Sequence, residues 1–177
     1  AIYMSANGKI FDPQNGIQDL KNKNIKFIGD PDERIKEDYL RILRYLRFSL
    51  HYKSLETDKE TEKAININLN GIKNLSKERI YMELNKIIAL DNFEDIFKSN
   101  FLLNLIKVLF PEFRYLERIK NLKSFKSVLG YYPFGLTLSL LLVDKTDNYA
   151  YFLHKYKASN FLKSILEFYF KNFIEIE

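Results

Sequence analysis

A helix start is written into residues 30 to 33. Asp30 is a capping type, Pro31 suits the first helical position, and Glu33 stands where a capping box needs it. From there apolar side chains recur at Ile35, Tyr39, Ile42, Leu43 and Leu46, one face of a helix. One helix from Asp30 to about His51 is predicted. A second follows Thr57 and a third starts at Ser76. Shorter ones follow Asp91, broken near Pro111, Gly130 and Pro133 and by residues 144 to 148, and the last begins near Ser159. Residues 1 to 29 read as β instead. Ile2-Tyr3-Met4 and Lys9-Ile10-Phe11 flank Asn7-Gly8, the mark of a two-residue hairpin turn. A turn cluster runs from Asp12 to Gly16, and Ile25 to Ile28 is a candidate short strand. Two strands do not stand alone in water, so the hairpin is expected to edge a sheet completed elsewhere. The expected fold class is mainly α, with a short N-terminal β-hairpin before a helical array.

Composition removes several functions. The 177 residues are 46% hydrophobic and include 15 Phe and 12 Tyr, ample for a packed core. Cysteine is absent, so disulfides, thiolate metal sites and a Cys nucleophile are excluded. Two distant histidines, His51 and His154, do not suggest a metal centre; His154 reads as a surface or half-buried residue. The most apolar run, Phe134 to Val143, is about half of what spans a bilayer. The opening residues lack the charged start of a secretory leader. A soluble, cytoplasmic protein without a membrane partner is the expectation.

The charge is more informative in its placement than in its sum. A net charge of +5 permits an anionic partner such as RNA without demanding one. Arginine is scarce, yet Arg34, Arg41, Arg44 and Arg47 fall in one stretch. Arginine brings a rigid fork of donors suited to phosphates and base edges. On a helix at ~100° per residue, Arg34, Asp38, Arg41 and Arg44 lie opposite the apolar stripe, with Arg47 at its border. Asp38 and Arg41, three apart, would then be surface neighbours. Together they offer an acceptor and a donor fork, the complement of a base that carries an exocyclic amine. Adenine and cytosine carry one; uracil does not. Arg44 and Arg47 could meet a triphosphate. On spacing alone, a solvated ion pair worth a few tenths of a kcal/mol is the commoner outcome.

Gly29-Asp30-Pro31, Arg34, then Glu37-Asp38-x-x-Arg41-x-x-Arg44-x-x-Arg47-Phe48 resembles the nucleotide-recognition helix of the class II tRNA nucleotidyltransferases. That family includes the CCA-adding enzymes and the bacterial poly(A) polymerases. Upstream, Phe11-Asp12-Pro13, Gly16 and Asp19-Leu20 look like the family's preceding loop. Downstream, Leu75 to Ile80 with Glu83-Leu84 is similar to its next motif. The resemblance covers residues 1 to about 90; the remainder matches only as a helical body and tail.

The resemblance implies a template-independent RNA nucleotidyltransferase that adds CCA or A residues to the 3′ end of tRNA or other RNA. Asp38 and Arg41 would read ATP and possibly CTP, and Arg44 and Arg47 would be further nucleotide contacts. Glu37 would orient arginines, and Arg34, Ser76, Glu78 and Arg79 would support the neck. A plain helix cap describes Ser76 equally well, and structural ion pairs describe Glu78 and Arg79 better. Asp12 and Asp19 read as loop-capping residues rather than catalytic carboxylates.

The family's catalytic head carries a D-x-D carboxylate pair for two-metal phosphoryl transfer. The only such spelling here, Asp30-Pro31-Asp32, opens a helix. The chain is therefore expected to hold the end of the head (1–29), the nucleotide-reading and RNA-binding neck (30–90) and a helical body and tail (91–177). Mg²⁺ would be held by residues outside it, and the chain alone would be inactive without a head domain in the same or a separate chain. The rival reading is a non-catalytic helical RNA-binding or interaction module from a split or decayed gene.

The second half offers weaker signals. Lys120, Lys123 and Lys126, and Lys155, Lys157 and Lys163, could follow an RNA backbone; a solvated lysine face explains them equally well. The aromatics read as core before base-stacking platforms. No His-Asp dipeptide occurs, so the metal-dependent phosphohydrolase domain of some relatives is not expected.

Overall fold

Gly8 shapes the N-terminal hairpin. In the computed structural model, which describes residues 2–121 and 134–172, β1 (Tyr3–Met4) pairs antiparallel with β2 (Ile10–Phe11), Tyr3 opposite Phe11. The turn is longer than the two-residue Asn-Gly form. The Gly8 amide donates to the Ser5 carbonyl and the Ser5 amide to the Lys9 carbonyl, both at 2.9 Å, with Gly8 at φ +82°. Glycine thus fills the left-handed position that a three-residue loop requires. The turn cluster conceals a short helix, α1 (Gly16–Lys21), whose first amides are met by Asp12. Residues 25–28 form no strand; Phe27 instead stacks on Tyr45 with centroids 5.6 Å apart.

The predicted long helix is two helices. α2 (Pro31–Glu37) ends at Asp38, whose backbone is extended (φ −158°, ψ 104°), and α3 (Leu40–His51) begins two residues later. The remaining described helices are α4 (Lys59–Asn68), α5 (Lys77–Ile88), α6 (Asn100–Leu109), α7 (Phe134–Leu142), α8 (Asn148–Lys155) and α9 (Asn160–Lys171). Short 3₁₀ segments, Leu69–Asn74, Phe93–Lys98 and Leu116–Asn121, connect some of them. The architecture is mainly α with one two-stranded hairpin. The starts follow side-chain chemistry: Asp30, Asp58, Ser76, Ser99 and Ser159 each accept from an amide three residues on. The expected breaks at Gly130 and Pro133 lie outside the described residues.

Several ends follow a less visible rule. After α1, α3 and α8 a lysine takes the left-handed conformation: Lys23 (φ 55°), Lys53 (φ 57°) and Lys157 (φ 48°). The next amide reaches back five residues, Asn24 to Asp19, Ser54 to Ser49 and Ala158 to Leu153, at 2.8 to 3.0 Å. Glycine usually fills that site. Its left-handed strain for a lysine is ~1–2 kcal/mol, against ~0.5–1 kcal/mol of extra chain entropy for glycine. Lys53→Gly is therefore expected to stabilise by about 0.5 kcal/mol. A urea midpoint that falls or stays put would contradict that.

The apolar core runs from Ile35 to Leu166. α2 packs on α4, α3 on α5, and α7 on α9. Leu43, Leu46 and Leu50 of α3 meet the same core as Leu84, Ile87 and Ile88 of α5, all essentially buried. The aromatics Tyr81, Phe110, Phe113, Phe152 and Tyr156 pack on one another rather than standing free. Among the described residues no helix is long and apolar enough to cross a membrane.

Candidate nucleotide-reading site

The corner between α2 and α3 gathers the charged side chains. Asp38 closes α2 and opens α3: its Oδ1 accepts from the Leu40 amide at 3.1 Å. An aspartate within a helical pattern competes for backbone amides, and here it wins. Its Oδ2 accepts from Arg79 Nη2 at 2.9 Å, a bond from the first turn of α5. Arg41 turns the other way. Nη1 donates to the Arg34 carbonyl at 2.9 Å, and Nη2 pairs with Glu37 at 2.8 Å. Glu37 also takes Arg34 at 2.7 Å, so one carboxylate holds two guanidinium groups.

The continuous-helix geometry therefore does not hold. Asp38 and Arg41 do not sit three apart on one helical face, and each has a different partner. They meet through the backbone, the Arg41 amide donating to the Asp38 carbonyl at 3.0 Å. Both side chains remain partly open, 25% exposed for Asp38 and 28% for Arg41. A carboxylate has about four lone-pair sites, so two bonds leave Asp38 acceptor capacity.

Arg44 and Arg47 diverge. Arg44 is half exposed and its Nε lies 3.9 Å from Glu83. Arg47 Nε donates to Glu83 at 2.8 Å, and its guanidinium lies 4.2 Å from the Phe48 ring centre. The Arg47 side chain is thus committed to an α3–α5 tie, where free phosphate reach was expected. Burial pushes the Glu83 carboxyl up; Arg47 and Lys86 together outweigh it and hold it below the ordinary carboxylate range.

The supporting residues sort by partner. Ser76 caps α5, its Oγ accepting from the Arg79 amide at 3.3 Å. Glu78 and Arg79 both form ion pairs, but with Lys157 and Asp38 respectively, each at 2.9 Å. Asp12 accepts from the Ile17 and Gly16 amides at 2.8 and 2.9 Å, and these hold its carboxyl below its usual range. Asp19 pairs with Lys26. Asp30 caps α2, and Asp32 is taken by Lys36 and Asn68 at 2.6 Å each. The Asp-Pro-Asp carboxylates therefore do not fit a divalent cation. Among the described residues no group of three or more acidic or histidine side chains could hold a metal.

The lysine tracks are largely neutralised where they are described. Lys155 pairs with Glu112 at 2.5 Å, Lys157 with Glu78, Lys163 with Glu167 and Lys120 with Glu117. Lys123 and Lys126 lie outside the described residues. His154 is exposed on α8.

The fold and site together define a helical protein with an arginine-rich corner, and comparisons with known proteins show what it is similar to. A family model described as "Probable RNA and SrmB- binding site of polymerase A" matches residues 54–116. The mouse mitochondrial CCA tRNA nucleotidyltransferase 1 is 35% identical over 181 residues, covering 97% of this chain and 40% of that protein. Its human counterpart is 45% identical over 91 residues, 50% of this chain and 21% of that protein. A CCA-adding enzyme of Staphylococcus aureus (strain MRSA252) is 33% identical over 160 residues, 90% of this chain and 38% of that enzyme. The chain belongs to the family of the CCA-adding enzymes and bacterial poly(A) polymerases. It spans about 40% of the length of the mouse relative.

Proposed function

We propose that this chain is the nucleotide-selecting and RNA-binding part of a template-independent RNA nucleotidyltransferase. The whole enzyme would add CCA or A residues to the 3′ end of tRNA or other RNA. The RNA 3′-hydroxyl would attack the α-phosphate of a nucleoside triphosphate and release pyrophosphate. The observation that carries this reading is the α2–α3 corner, where Asp38 and Arg41 are held partly open by separate partners. Arg41 donates to the acceptors of the incoming base, its fork oriented by Glu37 and the Arg34 carbonyl. Asp38 accepts from the exocyclic amine of adenine or cytosine while keeping its bond to Arg79. Arg44 faces the triphosphate, and Arg47 shares its guanidinium between Glu83 and the nucleotide.

The domain division follows the same reading: residues 1–29 as the end of the head, 30–90 as neck, 91–177 as body and tail. Mg²⁺ would belong to carboxylates of a catalytic head, in the same chain or a separate one, because Asp30 and Asp32 are engaged elsewhere. Without that head the chain would bind nucleotide weakly and transfer nothing.

Asp38→Ala, in an enzyme supplied with a head, is expected to weaken discrimination against UTP about 10- to 100-fold, the worth of a base-edge pair. Arg41→Ala should lose nucleotide choice more than RNA affinity. The measurement is incorporation of each labelled nucleotide into tRNA lacking its 3′ end. Unchanged UTP misincorporation in Asp38→Ala rejects Asp38 as the reader.

A further inference from the structure

A second feature lies away from the corner, on the other side of α5. Lys77 and Arg79 are two positions apart on one helix, roughly 200° around its axis. Arg79 turns to Asp38; Lys77 lines a groove of about 350 Å³ between the Leu69–Asn74 segment, the start of α5 and the end of α6. The groove has an apolar lining that includes Ile72, Val108 and Pro111, and three lysines, Lys73, Lys77 and Lys155. No carboxylate lines it among the described residues.

The charge balance is uneven. Lys155 is matched by Glu112, and Glu78, next to Lys77 in the chain, is matched by Lys157. Lys73 and Lys77 have no carboxylate partner among the described residues. Two uncompensated ammonium groups beside an apolar recess suit a ligand that is anionic on one side and flat and apolar on the other. A nucleotide of single-stranded RNA has that form, with a phosphodiester edge and a π-face. An acidic peptide matches the cations and leaves the apolar lining wet.

We propose that this groove binds one nucleotide of a single-stranded RNA, its phosphate on Lys73 and Lys77 and its base against Ile72, Val108 and Pro111. The assignment rests on the RNA-binding reading above and adds to it the place and the part of the RNA. It makes the groove a contact for RNA apart from the nucleotide-reading corner. RNA affinity and nucleotide choice should then respond to different substitutions.

The test is fluorescence anisotropy of a labelled hexa-adenylate with the full chain. Lys73→Glu with Lys77→Glu is expected to weaken binding at least tenfold and to reduce the slope of log affinity against log salt by about 1 to 2. Val108→Trp fills the recess and keeps every charge; Val108 is 61% exposed, so the fold tolerates it. It should weaken hexa-adenylate about tenfold and leave an abasic strand of equal length unchanged. If the wild type binds and the lysine pair changes nothing, the groove assignment fails while RNA binding stands. If the wild type binds no RNA, both readings fail. Equal loss for poly-glutamate and hexa-adenylate in the lysine pair, with Val108→Trp silent, overturns the base seat.

Discussion

Glu83→Ala is expected to cost about 3 kcal/mol of folding stability, because breaking a buried ion pair strands its partner. The Glu83 side chain is 4% exposed and joins Arg47 at 2.8 Å and Lys86 at 3.1 Å. Removing it leaves the Arg47 guanidinium, 20% exposed, facing the α3–α5 interface without an acceptor. Glu83→Gln keeps the volume and one acceptor and should cost about half as much. The same pair sets an acid limit. Glu83 titrates below its ordinary value of 4.5 in the folded chain, so unfolding takes up a proton as pH drops. Its contribution is complete above about pH 5 and is lost as pH falls through the depressed folded value. Urea unfolding between pH 7 and 3 should show wild type losing more stability than Glu83→Gln. Parallel pH profiles for the two would contradict that assignment.

Gly71→Ala is expected to cost about 2 kcal/mol, at the upper part of what overpacking does. A Cβ at Gly71 would stand 2.1 Å from Tyr39 Cε1 and 2.2 Å from Cδ1. The ring must leave its seat, and Tyr39 is the single residue between Asp38 and α3. The cost and the site are therefore linked. In a double-mutant cycle, Gly71→Ala should lose most of its penalty in a Tyr39→Ala background, because no ring remains to displace. In an enzyme supplied with a head, Gly71→Ala should also weaken UTP rejection by moving Asp38. Additive stabilities in the cycle would show that Tyr39 is not what Gly71 accommodates.

Much of the fold was legible because this chain starts its helices with side chains that cap them. Asp30, Ser76 and Ser159 could each be read from sequence as helix starts, and each accepts from the amide three residues on. The helical stripe was also right: Ile35, Ile42, Leu43 and Leu46 are all buried. The break at Asp38 was not legible. No glycine or proline marks it, and the stripe passes through without losing phase. It comes from contacts far along the chain, Arg79 on Asp38 and Gly71 beneath Tyr39. The local signal available was the aspartate itself, a residue type that seeks free amides. The hairpin turn was misjudged because Gly8 serves equally in a two-residue turn and in a longer loop. α3 ends at His51, as expected, whereas the ends of α1 and α8 were hidden because lysine stands where glycine usually announces a stop. Among the site residues, the tie between Arg47 and Glu83 was not legible: it joins positions far apart in the chain, and a buried carboxylate has greater need of a guanidinium than solvent does.

The corner at Asp38 also uncouples two stretches of chain that one spiral would have geared together. Residues 31–37 transmit no rotation to residues 40–51, so a segment from a relative can be transplanted there with its own facing intact. A single deletion between Leu40 and Leu46 has the opposite effect. It would swing every later side chain by about 100° and pull Arg47 off Glu83. A length change before the corner is felt separately, through buried Ile35 and through Glu37, which holds Arg41.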